Sequence, residues 1–250
     1  MSDLLDRIVS QTRRDLDLRR DLQPELTPSP SERPGSFREA LSGPELSLLA
    51  ELKPRSPSRG PLRDDVGDAF PAYRERADAV SVLVDTPFFG GGYGLFARAR
   101  QALPLPLLAK GFFVDPWQVD EARSHGADAV LLIARILDDA QLTHLRSRIE
   151  GLGMDALVEV HTDDELERAL ATGARVIGVN ARDLDSLDID LDKARRRLER
   201  VPEGRVRVAE SGLERLEDVD RIRGIAHAAL IGTAFMSAKD IGAAIEALGW

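Results

Sequence analysis

Eight short apolar runs, each followed by a longer stretch of helical pattern, recur along the chain and leave few folds open to it. They are Ser47–Leu52, Ala79–Asp85, Leu105–Lys110, Ala129–Ala134, Ala156–Val160, Val176–Asn180, Arg205–Ser211 and Ala228–Gly232. Their starts lie roughly 20–30 residues apart, the period of βα units around a closed barrel. The runs are continuous rather than alternating, as strands buried on both faces must be. The pattern predicts the α/β class, with one (β/α)8 TIM barrel over residues 46–250 and an N-terminal helical extension over residues 1–45. A length of 250 residues with 43% hydrophobic content suits that barrel or two small domains. Two domains need a linker, and no flexible segment divides the repeats. A doubly wound sheet usually carries a glycine-rich fingerprint after its first strand, where this chain has Lys53-Pro54-Arg55-Ser56.

Helix signals fill the gaps. Asp115-Pro116 reads as an N-cap followed by proline at the first helical position. Thr162-Asp163-Asp164-Glu165 reads as a capping box opening Leu166–Ala171, with Gly173 past its end. Gly126–Val130 turns a helix into the next strand. In the extension, Leu4, Leu5, Ile8 and Val9 mark one helical face. Pro24, Pro28, Pro30 and Pro34 then make an extended connector, and Ser36-Phe37-Arg38-Glu39 reads as a second capping box. Covering one barrel end and packing on its side both fit this pattern.

A net charge of -9 argues against nucleic acid or an anionic membrane as partner. Cysteine is absent, which excludes disulfides and thiolate metal sites, and His125, His144, His161 and His227 have no metal-ligand spacing. Met1–Arg20 is charged and lacks the apolar core of a signal peptide, and no apolar run is long enough to span a bilayer. A cytoplasmic monomer that takes a small molecule is the expectation.

Charged residues stand at the C-terminal tips of several of these strands, where an unpaired charge is costly. Converging tips are how a barrel assembles acids and bases. Glu51 and Lys53 sit two apart, so both face inward if Leu52 faces the helices; the plainer reading is an ion pair sealing the barrel. The loop Lys53–Gly60, with Arg55, Ser56, Ser58 and Arg59, is stiff, basic and hydroxyl-rich. Lys110, partly desolvated at its tip, is expected to have a lowered pKa and serve as general acid. Phe112 and Phe113 follow as walls of an aromatic pocket, or as core. Glu159 is expected to have a raised pKa, with His161 capping the strand or the next helix. Asn180 and Arg182 offer an amide and a guanidinium fork for a carboxylate, against a bland loop salt bridge of Arg182 with Asp183. Glu210-Ser211-Gly212 and Gly232-Thr233 end the last two strands, where barrels build phosphate sites from backbone N–H groups.

Taken in order, these stretches resemble the indole-3-glycerol-phosphate synthase family. The matching segments are Ala50-Glu51-Leu52-Lys53 with Ser56-Pro57-Ser58, Phe88-Phe89-Gly90-Gly91, Lys110 with Phe112, Gly126–Ile133, Leu157–His161, Gly178-Val179-Asn180 with Arg182-Asp183-Leu184, Glu210-Ser211-Gly212 and Gly232-Thr233. The family usually reads Arg-Lys-Asp-Phe about its third-strand lysine, where this chain has Ala109-Lys110-Gly111-Phe112, and it often has Asn or Ser where Ala181 stands. The resemblance implies an enzyme without metal or organic cofactor, acting on a phosphorylated small molecule. It implies Lys110 as general acid at a ketone, Glu159 in proton transfer, Lys53 at a substrate carboxylate and Glu51 as base and orienter. It further implies that Ser56, Asn180 and Arg182 position substrate. Phe89, Phe112 and Leu131 would line an aryl pocket, and Ser211, Gly212, Gly232 and Thr233 would hold phosphate. Isomerase-type sugar-phosphate barrels share the phosphate end but not the Glu-Leu-Lys and Ser-Pro-Ser start, and a non-catalytic barrel of the same fold is the other alternative.

Overall fold

In the computed structural model, which describes residues 3–33, 35–57, 59–184 and 186–250, eight parallel strands close into a barrel. The side chains of Asp3 and Leu4 fall outside this description, as do Pro34 of the connector and Ser58 of the basic loop. The strands are β1 (Ser47–Leu52), β2 (Ala79–Leu83), β3 (Leu107–Lys110), β4 (Ala129–Ile133), β5 (Asp155–Val160), β6 (Val176–Asn180), β7 (Val206–Glu210) and β8 (Ala228–Ile231). Each pairs with its sequence neighbours, and β1 closes the ring against β8 with Leu48 opposite Ala229. Every expected run is a strand. The third begins at Leu107 rather than Leu105, because Pro106 has no N–H to donate to the ladder.

Two layers of apolar side chains explain the continuous runs. Inward residues such as Leu49, Leu108, Leu157 and Val208 fill the barrel. Outward residues such as Leu48, Val130, Val158 and Ile177 meet the surrounding helices. The helical ring includes α3 (Phe70–Arg76), α4 (Tyr93–Ala102), α5 (Pro116–Ser124), α6 (Asp139–Gly151), α7 (Asp163–Ala171), α8 (Leu191–Arg200) and α9 (Leu216–Asp220). Asp115 caps α5 with Pro116 behind it, and Gln118 completes a capping box.

The extension occupies both ends of the barrel. Helix α1 (Asp3–Leu22) lies across the C-terminal mouth, with Leu5 and Ile8 facing the central cavity. It is tied down by ion pairs of Arg19 with Glu121 and Arg20 with Asp115. The connector descends the outside, where Ser31 N–H donates to the Leu152 carbonyl at 2.8 Å. Helix α2 (Ser36–Ala40) then places Phe37, with Leu41 after it, in the apolar cluster that fills the barrel's other end, beside Ala79, Val176 and Ala228. The capping box expected at Ser36 is not formed: Gly35, at φ 76°, is the N-cap, and no side chain caps the helix. Asp155 instead accepts the Arg38 N–H at 2.9 Å, doing from the barrel what a cap does from the chain. Among the described residues no helix is long and apolar enough to cross a membrane.

Phe37 is fully buried at the end of the barrel remote from the mouth. Phe37→Ala is expected to lower the unfolding free energy by about 3–5 kcal/mol through the cavity it leaves. Urea denaturation measures the loss, and KM should stay unchanged because the plug does not touch the cavity.

Candidate active site

The tips of the strands place Glu51, Lys53, Lys110, Glu159, Asn180 and Glu210 around one cavity at the C-terminal mouth. The parallel register does this. Leu83 stands beside Lys110, Ile133 beside Glu159, and Asn180 beside Glu210, so polar side chains follow the last apolar layer on adjacent strands. Lys110 is the hub. Its Nζ lies 3.2 Å from Oε2 of Glu159 and 2.9 Å from Oε2 of Glu210. A second pair, Lys53 Nζ to Glu51 Oε1 at 2.9 Å, faces the same space. The ion pair anticipated as a bare seal is therefore present, and it lines the cavity.

Electrostatics reverse two expectations. Burial opposes the charge on Lys110, but Glu210, Glu159 and Glu51 outweigh it and hold the ammonium above the ordinary lysine range. A lowered lysine pKa needs burial without counter-charges, and here three carboxylates surround the amine. Burial likewise opposes the charge on Glu159, yet Lys110, His161 and the Asn180 amide hold it well below the usual carboxylate range. The raised carboxylate is Glu210. Burial pushes it up; Lys110 opposes this, Glu159 reinforces it, and the net direction is upward. The two carboxyl groups on one lysine are thus shifted in opposite directions.

Glycines make room for these acids. A Cβ at Gly178 would lie 2.0 Å from Oε1 of Glu210, and one at Gly232 would lie 2.4 Å from Oε1 of Glu51. Gly111 lines the cavity, and a Cβ there would press on Val84 at 2.9 Å.

Every sequence-predicted site residue lines this cavity. Phe89 and Phe112 lie 6.1 Å apart between ring centres, with Leu131 on the same wall. Phe113 turns away into the core. Ser56, itself buried, closes the side next to Lys53. Asn180 donates to Oε1 of Glu159 at 3.1 Å and accepts the Arg182 N–H at 3.0 Å, so the amide steers both a carboxylate and the loop. The Arg182 guanidinium reaches the cavity while donating to the Leu187 carbonyl at 2.9 Å. Across from Lys110, Ser211 and Gly212 take left-handed φ of 66° and 77°, turning the chain after β7 toward the cavity. Gly232 and Thr233, at the start of α10 (Thr233–Met236), complete that side.

Four residues escaped sequence reasoning in whole or in part. Glu210 was legible only as part of a phosphate motif, although its place at a strand tip matches that of Glu51. Leu5 and Ile8 were legible as a helical face, without their target. Glu165 was expected to complete a capping box. Thr162 does cap α7, but Glu165 Oε2 accepts the N–H of His161, one residue further back, at 2.7 Å.

A family model described as indole-3-glycerol phosphate synthase matches residues 5–248. The chain is 39% identical to the indole-3-glycerol phosphate synthase of Acetivibrio thermocellus, over 95% of this chain and 96% of the relative. It is 43% identical to indole-3-glycerol phosphate synthase 2 of Streptomyces coelicolor, over 99% of each. Among solved structures, a 3-hexulose-6-phosphate synthase superposes with TM-score 0.63 at 18% identity, over 81% of this chain and 98% of that one, a likeness of fold alone.

The raised Glu210 has a thermodynamic signature. Its folded pKa lies above its unfolded value, so the stability it contributes is full below the ordinary glutamate range and is lost as pH rises through the folded pKa. Glu210→Gln, which mimics the protonated acid, should therefore gain stability relative to the parent as pH is raised from about 5 to about 8. Paired urea titrations at several pH values check this; a pH-independent difference contradicts the assignment of the proton to Glu210.

Proposed function

The chain belongs to the indole-3-glycerol phosphate synthase family, and on that premise we propose a division of labour among its cavity residues. It is a carboxy-lyase that closes 1-(2-carboxyphenylamino)-1-deoxyribulose 5-phosphate to indole-3-glycerol phosphate, releasing CO₂ and water. The observation that carries our reading is Lys110 Nζ held between the carboxyl groups of Glu159 and Glu210, 3.2 and 2.9 Å away.

The reaction sets the proton demand. The aryl carbon bearing the carboxylate bonds to the ketone carbon, and the ketone oxygen takes up one proton. The bond to the carboxylate breaks as CO₂, and its electron pair restores the aryl ring. Departure of water needs a second proton on the same oxygen and removal of one from the adjacent CH₂. The site must therefore give two protons to one oxygen and take one from carbon.

Lys110, an ammonium at neutral pH, donates to the ketone oxygen where negative charge develops. Its high pKa makes it an electrostatic stabiliser and a donor that is refilled from the carboxyl groups it touches. Glu210 is the refilling acid, and Glu159 is the base for closure and dehydration. Lys53 binds the substrate carboxylate and protonates the leaving hydroxyl, while Glu51 orients Lys53 and acts as a further base. Ser56, Asn180 and Arg182 position the substrate. Phe89, Phe112 and Leu131 wall the aryl ring, and Ser211, Gly212, Gly232 and Thr233 hold the phosphate. Leu5 and Ile8 close over the ring and keep water from it. In this reading residues 1–45 form a functional extension of a barrel spanning 46–250, and the protein is a cytoplasmic monomer.

Growth of indole fluorescence on the carboxyphenylamino substrate reads the activity directly. Lys110→Ala is expected to lower kcat by at least ~10²-fold with the fold intact. Near-parental turnover would remove Lys110 from the mechanism. Thr233→Asp sets a carboxylate against the phosphate and should raise KM by roughly tenfold or more, with a smaller effect on kcat. Gly232 is unsuited to that test because any side chain there strikes Glu51.

A further inference from the structure

Behind Glu159, on the side away from the cavity, lies a second row of ionisable groups. His161 follows Glu159 by two residues, and only 2% of its side chain is exposed. Its Nε2 lies 3.1 Å from Oε1 of Glu159, and its Nδ1 lies 3.4 Å from Oε2 of Glu165 on α7. Glu165 is held in turn by Arg135, whose Nε donates to Oε1 at 3.0 Å from the 3₁₀ turn Ala134–Ile136 after β4. His161, Glu165 and Arg135 do not line the cavity.

This row splits the two oxygens of Glu159. Oε2 faces Lys110 and the reaction space. Oε1 receives the Asn180 amide and faces the buried His161 Nε2 at 3.1 Å, an ion-pair contact whose ring nitrogen has no aligned hydrogen-bond acceptor. A purely structural knot between β5 and α7 needs only the bond from the His161 N–H to Glu165, which is present at 2.7 Å. It does not need an imidazole withdrawn from water between two carboxylates, an arrangement whose desolvation cost rarely returns as stability.

We propose that His161 is a positioning residue for ring closure: it fixes Oε1 of Glu159, so that Oε2 is the oxygen that exchanges protons in the cavity, and Glu165 with Arg135 holds the imidazole to that task. The inference rests on the reading of Glu159 as a proton-transfer group. The groups facing His161 are Glu159 from β5 and Glu165 from α7; Arg135, Asn180 and Lys110 act on it through those carboxylates. Burial opposes a charge on His161, but the two glutamates outweigh it and raise its pKa to about 9, so it is an imidazolium at neutral pH. A cation beside Oε1 stabilises ionised Glu159, and its loss moves the Glu159 pKa upward.

His161→Gln retains a donor but cannot carry charge. Its kcat should fall about tenfold with KM within about twofold, and the acid limb of kcat against pH should move up by about one unit. Glu165→Gln leaves both cavity oxygens in place and withdraws an anion from His161. Its imidazole, followed by ¹⁵N NMR, should then titrate at lower pH, and an inflection in kcat should track that titration. Glu159→Gln is measured alongside: if it keeps its turnover, the reading of Glu159 fails, whatever His161 does. If Glu159→Gln is inactive while His161→Gln keeps parental kcat and acid limb, the His161 inference fails. A His161→Gln variant with reduced thermal midpoint and kcat but an unmoved acid limb marks a structural knot and overturns it too. Should His161→Gln not fold, Glu165→Gln decides: a displaced imidazole titration with no matching change in kcat sinks the proposal.

Discussion

Everything at the mouth of this barrel depends on one lysine being outnumbered. Lys110 has Glu159 and Glu210 in contact and Glu51 close enough to be felt. Burial raises the pKa of Glu210 and the charge on Glu159 adds to that, against the opposing pull of Lys110, so of these carboxyl groups Glu210 holds a proton most readily. The surrounding charges are paired: Lys53 with Glu51, Lys110 with Glu159, and Glu165 with both His161 and Arg135. Buried pairs of this kind are weak sources of stability, since apolar side chains of similar volume commonly do as well or better. Their gathering at the ends of β1, β3, β4 and β5 and on the helix after the last of these is better explained by chemistry than by folding.

The same outnumbering sets what Lys110 can do. An isolated buried lysine drifts toward neutrality and becomes a ready proton donor near pH 7. This one is held as an ammonium, so in the proposed mechanism it stabilises the oxygen that gains charge and gives up its proton only as the carboxyl groups beside it return one. Fixed charges act most strongly where water is excluded, which gives the extension its meaning. Leu5 and Ile8 from α1 sit on the open end while Phe37 from α2 fills the other, so one N-terminal segment seals the cavity above and the core below.

The barrel itself was legible because its signal is long-range and redundant: eight continuous apolar runs admit hardly any other closed arrangement. The cavity residues were legible for a related reason, since a charge that ends an apolar strand has one direction to point. What the sequence hid was the sign of each electrostatic effect. Lys110 and Glu159 were expected to shift in the directions that burial alone dictates, and both shift the other way because of partners on other strands. Glu165 shows the local version. Its spacing from Thr162 fits a capping box, yet its carboxylate serves the N–H one residue further back, because Arg135 from the preceding unit draws it there. Pairwise context across the barrel is not written in any short window of sequence.

One consequence concerns space rather than charge. In a packed barrel each inward position of a strand is filled by a side chain from that strand or from its neighbour. At the mouth this chain fills the layer with carboxylates and leaves the neighbouring position empty: Gly178 yields to Glu210, and Gly232 yields to Glu51. The glycines are therefore not there for backbone freedom, since neither has a left-handed φ. They are the missing halves of two acid sites. A core-forming residue at either position would restore apolar packing and expel the carboxylate from its partner lysine, so this layer can serve packing or proton transfer but not both.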